Sequence, residues 1–385
     1  MRMRNLSRRV FLESSGAWML ASVAPGLSAR DSRKEVRRAI KEHDRAIHLD
    51  DTWVRDPFIV LAPDGYYYYT GTTQEADLHV TEETQANTGL RATSLVGWHV
   101  RLWRSRDLVT WESMGAAASL KDSIWYEVAR KTFDSVPQDQ WRIWAPELHL
   151  VDGRWAIVFT TPAPLQPAVG ASLLLSSGTE LHGPWSNPLG DRIGLRPDPS
   201  LFRDDDGTWW MIWGATTIAP LKKDLSDYAG PEVEIHPSGM FPKIGHEGCT
   251  ILKIFGRYVL FGTGWSTGQM RKGSYNLYYT TASQITGPYG ERKFVGRFLG
   301  HGTPFQDKQG RWWCTAFYNA NVPPLASQGI EGRDLSDTAQ TINEHGLTIV
   351  PLSVRMADGD VVIRALDAHY GTPGPDELQK FSHEV

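Results

Sequence analysis

Asp56, Asp198, Glu247 and His301 each stand nine residues before a glycine that opens an aromatic-rich stretch, and Trp144 holds the same place in a fifth copy. Carboxylates brought together from distant parts of a chain can divide acid–base work, one giving a proton to a leaving atom while another draws a proton from water. Any one of these residues alone is equally a loop-end cap or turn residue. Their recurrence in one register is what argues for chemistry. Arg55-Asp56-Pro57-Phe58 and Pro197-Asp198-Pro199-Ser200-Leu201-Phe202 are parallel segments that open strands with Asp-Pro, and Gly245-His246-Glu247-Gly248 sets glycines around the glutamate. In Trp144-Ala145-Pro146-Glu147 the carboxylate comes three positions late. Strand alternation turns the Arg55 side chain away from that of Asp56.

The elements that position these residues are short strands. From residue 51 onward a polar turn ending in glycine is followed by an aromatic β run, as in Asp64-Gly65 before Tyr66 to Tyr69 and Asp206-Gly207 before Thr208 to Trp213. The turn glycines 65, 153, 207, 256 and 310 are separated by 88, 54, 49 and 54 residues. A period near fifty with four short strands per unit marks propeller blades, so the expected fold is all-β, a five-bladed β-propeller. Its innermost strands line a central channel, which gathers the register residues on one axis. The long first interval requires an insertion, placed at 72 to 98. His182-Gly183-Pro184-Trp185 and Thr286-Gly287-Pro288-Tyr289 are near copies that suit blade edges.

A net charge of −4 over 385 residues, with both signs scattered, leaves no footprint for nucleic acid. Ser7-Arg8-Arg9-Val10-Phe11-Leu12 and the weakly apolar stretch to about Leu27 have the layout of a twin-arginine export signal. The expected organisation is a signal at 1–29, a lead-in at 30–50 (helix or flexible), the propeller at 51–370 and a tail at 371–385. The product would be periplasmic or secreted, without membrane insertion once the signal is removed. Cys249 and Cys314 are either one bridge or two buried thiols.

In this order, on five blades, the motifs resemble those of glycoside hydrolase family 43, over about residues 51 to 320. The resemblance implies a carbohydrate substrate with arabinosyl, xylosyl or related linkages. It implies that Asp56 is general base, Glu247 general acid, and Asp198 the carboxylate that tunes and orients that acid. It also implies that His301, in His301-Gly302-Thr303, lies near a water-coordinated axial ion, Ca2+ or Na+, although acid–base cleavage requires no cofactor. Trp144-Ala145-Pro146-Glu147 resembles a recurrent family element, which makes Glu147 a substrate-binding candidate beside His301. Trp53, Trp144 and Trp265 are candidates for stacking on sugar rings, with core packing as the other reading. For the arginine that members often place near the acid, Arg271 and Arg355 are the candidates. The loop from Asn319 to Ile330 is expected on the pocket rim.

Cleavage with inversion needs the acid and the base roughly 6.5–9.5 Å apart, on opposite faces of the bond, and opposed blades can supply that gap. Two other readings stay open. Related five-bladed families include retaining fructan-cleaving enzymes and phosphorylases, though the early Asn-Asp-Pro of the fructan group is absent here. A non-catalytic sugar-binding propeller would keep the aromatic turns without needing acids at three axial positions.

Overall fold

The computed structural model describes residues 33–75, 94–165, 169–214, 216–320 and 338–381. The segment expected to be an export signal lies outside them, as do most of the 72–98 insertion, most of the 319–330 loop and the last four residues. Among the described residues, no helix is long and apolar enough to cross a membrane.

Five antiparallel sheets form the five-bladed β-propeller. The chain opens with helix α1 (Arg33–Glu42) and strand β1 (Ile47–Asp50). Blade I is β2 (Val54–Leu61), β3 (Tyr67–Thr73), β4 (His99–Ser105) and β5 (Glu112–Ser119). Blade II is β6 (Arg142–Val151), β7 (Arg154–Ala163), β8 (Gly170–Ser176) and β9 (Trp185–Ser186). Blade III is β10 (Ser200–Arg203), β11 (Trp209–Trp213), β12 (Thr217–Pro220) and β13 (Val233–Glu234). Blade IV is β14 (Glu247–Ile254), β15 (Arg257–Trp265), β16 (Gly273–Ala282) and β17 (Lys293–Gly296). Blade V is β18 (Pro304–Gln306), β19 (Trp312–Ala316), β21 (Leu347–Ala357) and β22 (Asp360–Ala365), while the short β20 (Ala339–Gln340) pairs in parallel with β16.

The lead-in is a working part of this ring. β1 pairs with β21 through Ile47↔Ile349, so the start of the chain completes the last blade. Val36 and Ala39, three apart on one face of α1, are buried in the seam between blades V and I. The aromatic run after each turn becomes the second strand of its blade. Its members Tyr69, Phe159, Trp213, Phe261 and Trp313 are buried between blades, each contributing about 1.5–3 kcal/mol by leaving water. One apolar cluster spans blades I to III, and others join III to IV, IV to V, and V to I. Cys249 and Cys314 are buried free thiols.

The expected tail is a strap on blade IV. Asp376 accepts from Ser266 Oγ, from the Ser274 amide at 3.0 Å and from Arg297 Nη2 at 3.0 Å. Glu377 accepts from Asn276 Nδ2 at 2.9 Å and Tyr278 Oη at 2.7 Å, and Phe381 stacks on Tyr278. The Arg297–Asp376 pair is sealed, with side chains 4% and 0% exposed.

Candidate active site

In each blade one residue in the innermost strand or just before it takes the left-handed conformation. These are Asp56 (φ 50), Ala145 (φ 45), Asp198 (φ 49), Gly248 (φ 63) and His301 (φ 57). Register breaks at this point in β2, β6 and β14 mark β-bulges, devices that bend a strand and re-aim a side chain. Counting nine residues back therefore misplaces two blades by one position: Ala145 and Gly248, not Trp144 and Glu247, are the equivalents of Asp56. The cause is turn length. Blades II and IV turn through two residues that both have φ above zero, Asp152-Gly153 and Phe255-Gly256. Blades I, III and V use three-residue turns, closed by bonds such as Ala62 N–H to Tyr66 O and Asp204 N–H to Thr208 O. A Cβ on Gly248 would meet the His301 ring at 2.5 Å, so glycine is required there twice over, by conformation and by space.

Asp56, Asp198, Glu247 and His301 surround one cavity of about 210 Å³, also lined by Arg55, Trp144, His246, Trp265, Met270, Arg271 and Asn319. His301 Nδ1 pairs with Asp56 Oδ1 at 3.1 Å, and Thr72 Oγ1 donates to Asp56 Oδ2 at 2.8 Å. Burial by itself would raise the Asp56 carboxyl. The His301 charge and hydrogen bond, Arg55 and Thr72 outweigh it and hold the group down at about 2. Burial likewise lowers His301, but the Asp56 charge and hydrogen bond, followed by Asp198 and Glu247, lift the ring to about 10. Asp198 is raised to about 6, first by burial and then by the like charges of Glu247 and Asp56 against the opposing His301. Its amide donates to Thr160 Oγ1 at 2.7 Å, and Gly248 N–H donates to its Oδ2 at 3.3 Å. Tyr275 Oη donates to Glu247 Oε1 at 2.6 Å, and its ring stacks on Trp265 with centroids 4.4 Å apart.

The site thus holds an ionised Asp56 paired with the His301 ring, next to the carboxyl groups of Asp198 and Glu247. Such a group can activate water at one carboxylate and deliver a proton from another. Among the described residues, no group of three or more His, Cys, Asp or Glu is placed to hold a metal ion by itself.

Other expected residues lie elsewhere. Trp53 is buried against Leu95 and Val96, off the cavity lining. Glu147 follows the bulge in β6 and pairs with His149 Nε2 at 2.9 Å, also away from the lining. Trp144 and Trp265 do line the cavity. Of the two arginine candidates, Arg271 lines it, whereas Arg355 is exposed in β21, paired across to Val362. Arg55 faces the cavity beside Asp56, against the alternation argument, because the bulge interrupts the pleat between them; its Nη2 donates to Asn319 Oδ1 at 3.1 Å. Tyr275 was not legible from sequence. The threonines had a signal: Thr72, Thr160 and Thr263 each stand seven residues after their turn glycine. Thr72 and Thr160 accept from the amides of Ala145 and Asp198 in the next blade, and Thr263 donates to Glu247 O.

The profile of glycosyl hydrolases family 43 matches residues 51–340. The chain belongs to this family. Among curated family relatives, an α-L-arabinofuranosidase 43 of Humicola insolens is 29% identical over 53% of this chain and 40% of its own length. A putative β-xylosidase of Escherichia coli K12 is 27% identical over 62% of this chain and 48% of its own length. The chain thus spans about half, or less, of the curated relatives it matches. Among solved structures, the GH43_1 enzyme from Xanthomonas citri complexed with xylose superposes with a TM-score of 0.58 at 15% identity, covering 88% of this chain and 98% of that one. An endo-arabinase from Bacteroides thetaiotaomicron gives 0.53 at 17% identity, covering 82% and 98%. At these identities the likeness carries the family 43 fold alone.

Proposed function

We propose that this family 43 chain is an inverting glycoside hydrolase acting on arabinosyl, xylosyl or galactosyl linkages of plant- or algal-type polysaccharides and oligosaccharides. The observation that carries this reading is the convergence of Asp56, Asp198, Glu247 and His301 on one cavity from four blades. Asp56 is the general base, kept ionised by His301 and Thr72. Glu247 is the general acid, its Oε1 oriented by Tyr275. Asp198 is the like-charged neighbour that tunes the pair, touching the strand of the acid through Gly248 N–H. His301 is a positioning residue that supplies positive charge on the axis beside Asp56. The names of the relatives support the sugar classes, and Trp144 and Trp265 offer ring faces for stacking.

Proton NMR of the first product on an aryl arabinofuranoside and xyloside panel tests the reading. The inverted anomer is expected to form before mutarotation. A retained anomer would remove Asp56 from the base role and favour a retaining or phosphorolytic reading, and binding without turnover would favour a sugar-binding propeller. Arg8-Arg9 supports export to the periplasm or beyond; replacing both with lysine and fractionating the cells tests it.

A further inference from the structure

A second cavity, of about 410 Å³, adjoins the axial one, and His246 and Trp265 line both. It is walled by the segment that leads into β14, the end of β15, and Arg292 just before β17. Its side chains are a set of donors around two aromatic faces: Lys243, Arg292, His236 and His246 with Phe241 and Trp265. None of the described residues lining it is an Asp or Glu. Of the carboxylates around it, Glu234 accepts from Thr216 and Thr217 and lies 3.8 Å from His236, Glu377 accepts from Asn276 and Tyr278, and Glu291 lines a neighbouring cavity with Phe241 and Arg292. The lining hydroxyls are spent as donors, Thr216 on Glu234 and Ser266 on Asp376.

Arg292 is held ready. Its guanidinium lies over Tyr278 at 4.3 Å and Phe241 at 5.0 Å, with Nε donating to Gln379 Oε1 at 2.7 Å. Lys243 is exposed and makes no ion pair among the described residues. A neutral sugar hydroxyl accepts as well as donates, and on this wall its donor side finds few partners. A carboxylate or sulfate ester is acceptor-only, and charge-assisted bonds to arginine and lysine are the strong kind.

We propose that this second cavity receives the leaving-group side of the substrate and selects a sugar unit bearing an anionic group, a carboxylate or a sulfate ester. The leaving-group part rests on the reading of Glu247 as the acid, since His246, its neighbour in sequence, forms the passage between the cavities. Phe241 and Trp265 provide faces for the ring, while Lys243 and Arg292 take the charge.

The test separates this inference from that reading. Glu247→Gln protein is titrated calorimetrically with three probes of equal length: a neutral xylo-oligosaccharide, one ending in a hexuronate, and one carrying a sulfate ester. The anionic probes are expected to bind about tenfold tighter at low salt, with the advantage shrinking as ionic strength rises. Adding Lys243→Glu should cancel it, whereas Lys34→Glu on α1 should not. Preference for the uronate alone assigns a carboxylate, and preference for the ester alone assigns a sulfate. Equal affinity for all three probes, or a preference untouched by Lys243→Glu, overturns the proposal. If the preference holds but the parent turns over no aryl glycoside, the acid assignment falls and the anionic site stands. If turnover with inversion holds but the preference is missing, only the site falls.

Discussion

The molecule buries two clusters of acids, and they are built in opposite ways. In the strap cluster, Asp376 and Glu377 are matched by Arg297, Ser266, Ser274, Asn276 and Tyr278, and the side chains of the Arg297–Asp376 pair are buried. In the axial cluster three carboxyl groups gather around the His301 ring, with Arg55 and Arg271 also on the wall, and open onto a cavity. Buried acids whose oxygens are met by fixed donors do structural work; buried acids grouped beside a cleft, where they act on one another through charge, are poised for chemistry. Burial alone does not tell the two apart. What the acids face does.

The comparison breaks most sharply at Asp56. Asp56→Asn is expected to lower kcat/KM by at least about 10³-fold while the protein still melts cooperatively; a variant that keeps a tenth of the parental rate would put Asp56 with the structural acids. Asp376→Asn should do the reverse, costing about 3–5 kcal/mol of stability because Arg297 is left buried without its partner. Denaturant midpoints read that loss, and kcat at a temperature where the variant is folded should stay within about threefold of the parent, a window well inside one catalytic group's contribution.

A third test uses pH. His301 has its ordinary value of 6.5 raised to about 10 in the fold, so its stabilisation is fully present below about 6.5 and is lost as pH rises through about 10. The melting temperatures of the parent and His301→Gln should therefore lie furthest apart below pH 6.5 and draw together towards pH 10. A gap that does not change with pH would mean that the ring is neutral in the fold. The smallest effect belongs to Glu377→Gln. Burial pushes the Glu377 carboxyl up, and the amide keeps an acceptor for Tyr278 and Asn276, so the cost should stay within about 1 kcal/mol. A loss as large as that of Asp376→Asn would show that the whole strap needs both charges.

The turn glycines were enough to read five blades and to bring Asp56, Asp198, Glu247 and His301 to one axis. Counting from those glycines could not see that two of the turns are one residue shorter, which is why Ala145 and Gly248 were missed as the bulge residues. Alternation failed at Arg55 for the same reason, since a bulge suspends the two-residue period on which it rests. Tyr275 reaches Glu247 from the third strand of its blade, and Arg297 meets Asp376 across 79 positions. Such partners depend on how strands stack, and local patterns carry no trace of them. Trp53 shows the converse: its residue type suited a sugar platform, but packing claimed it for the core.

The pairing of β1 with β21 has a consequence for how this ring comes apart. Nothing covalent joins the first blade to the last; His48 and Thr348 meet across 300 positions. That contact forms only after nearly the whole chain is available, and forming it closes a loop of 300 positions. A lesion in α1 or β1 would thus register first in the rate of unfolding, with the ring springing open between blades V and I. It would also strip one flank of β21 between Leu347 and Ile349, leaving without partners the backbone groups that face β1. A bare strand edge recruits another strand. Chains shortened past residue 50 should therefore associate with one another, each seeking from its neighbour the strand it has lost.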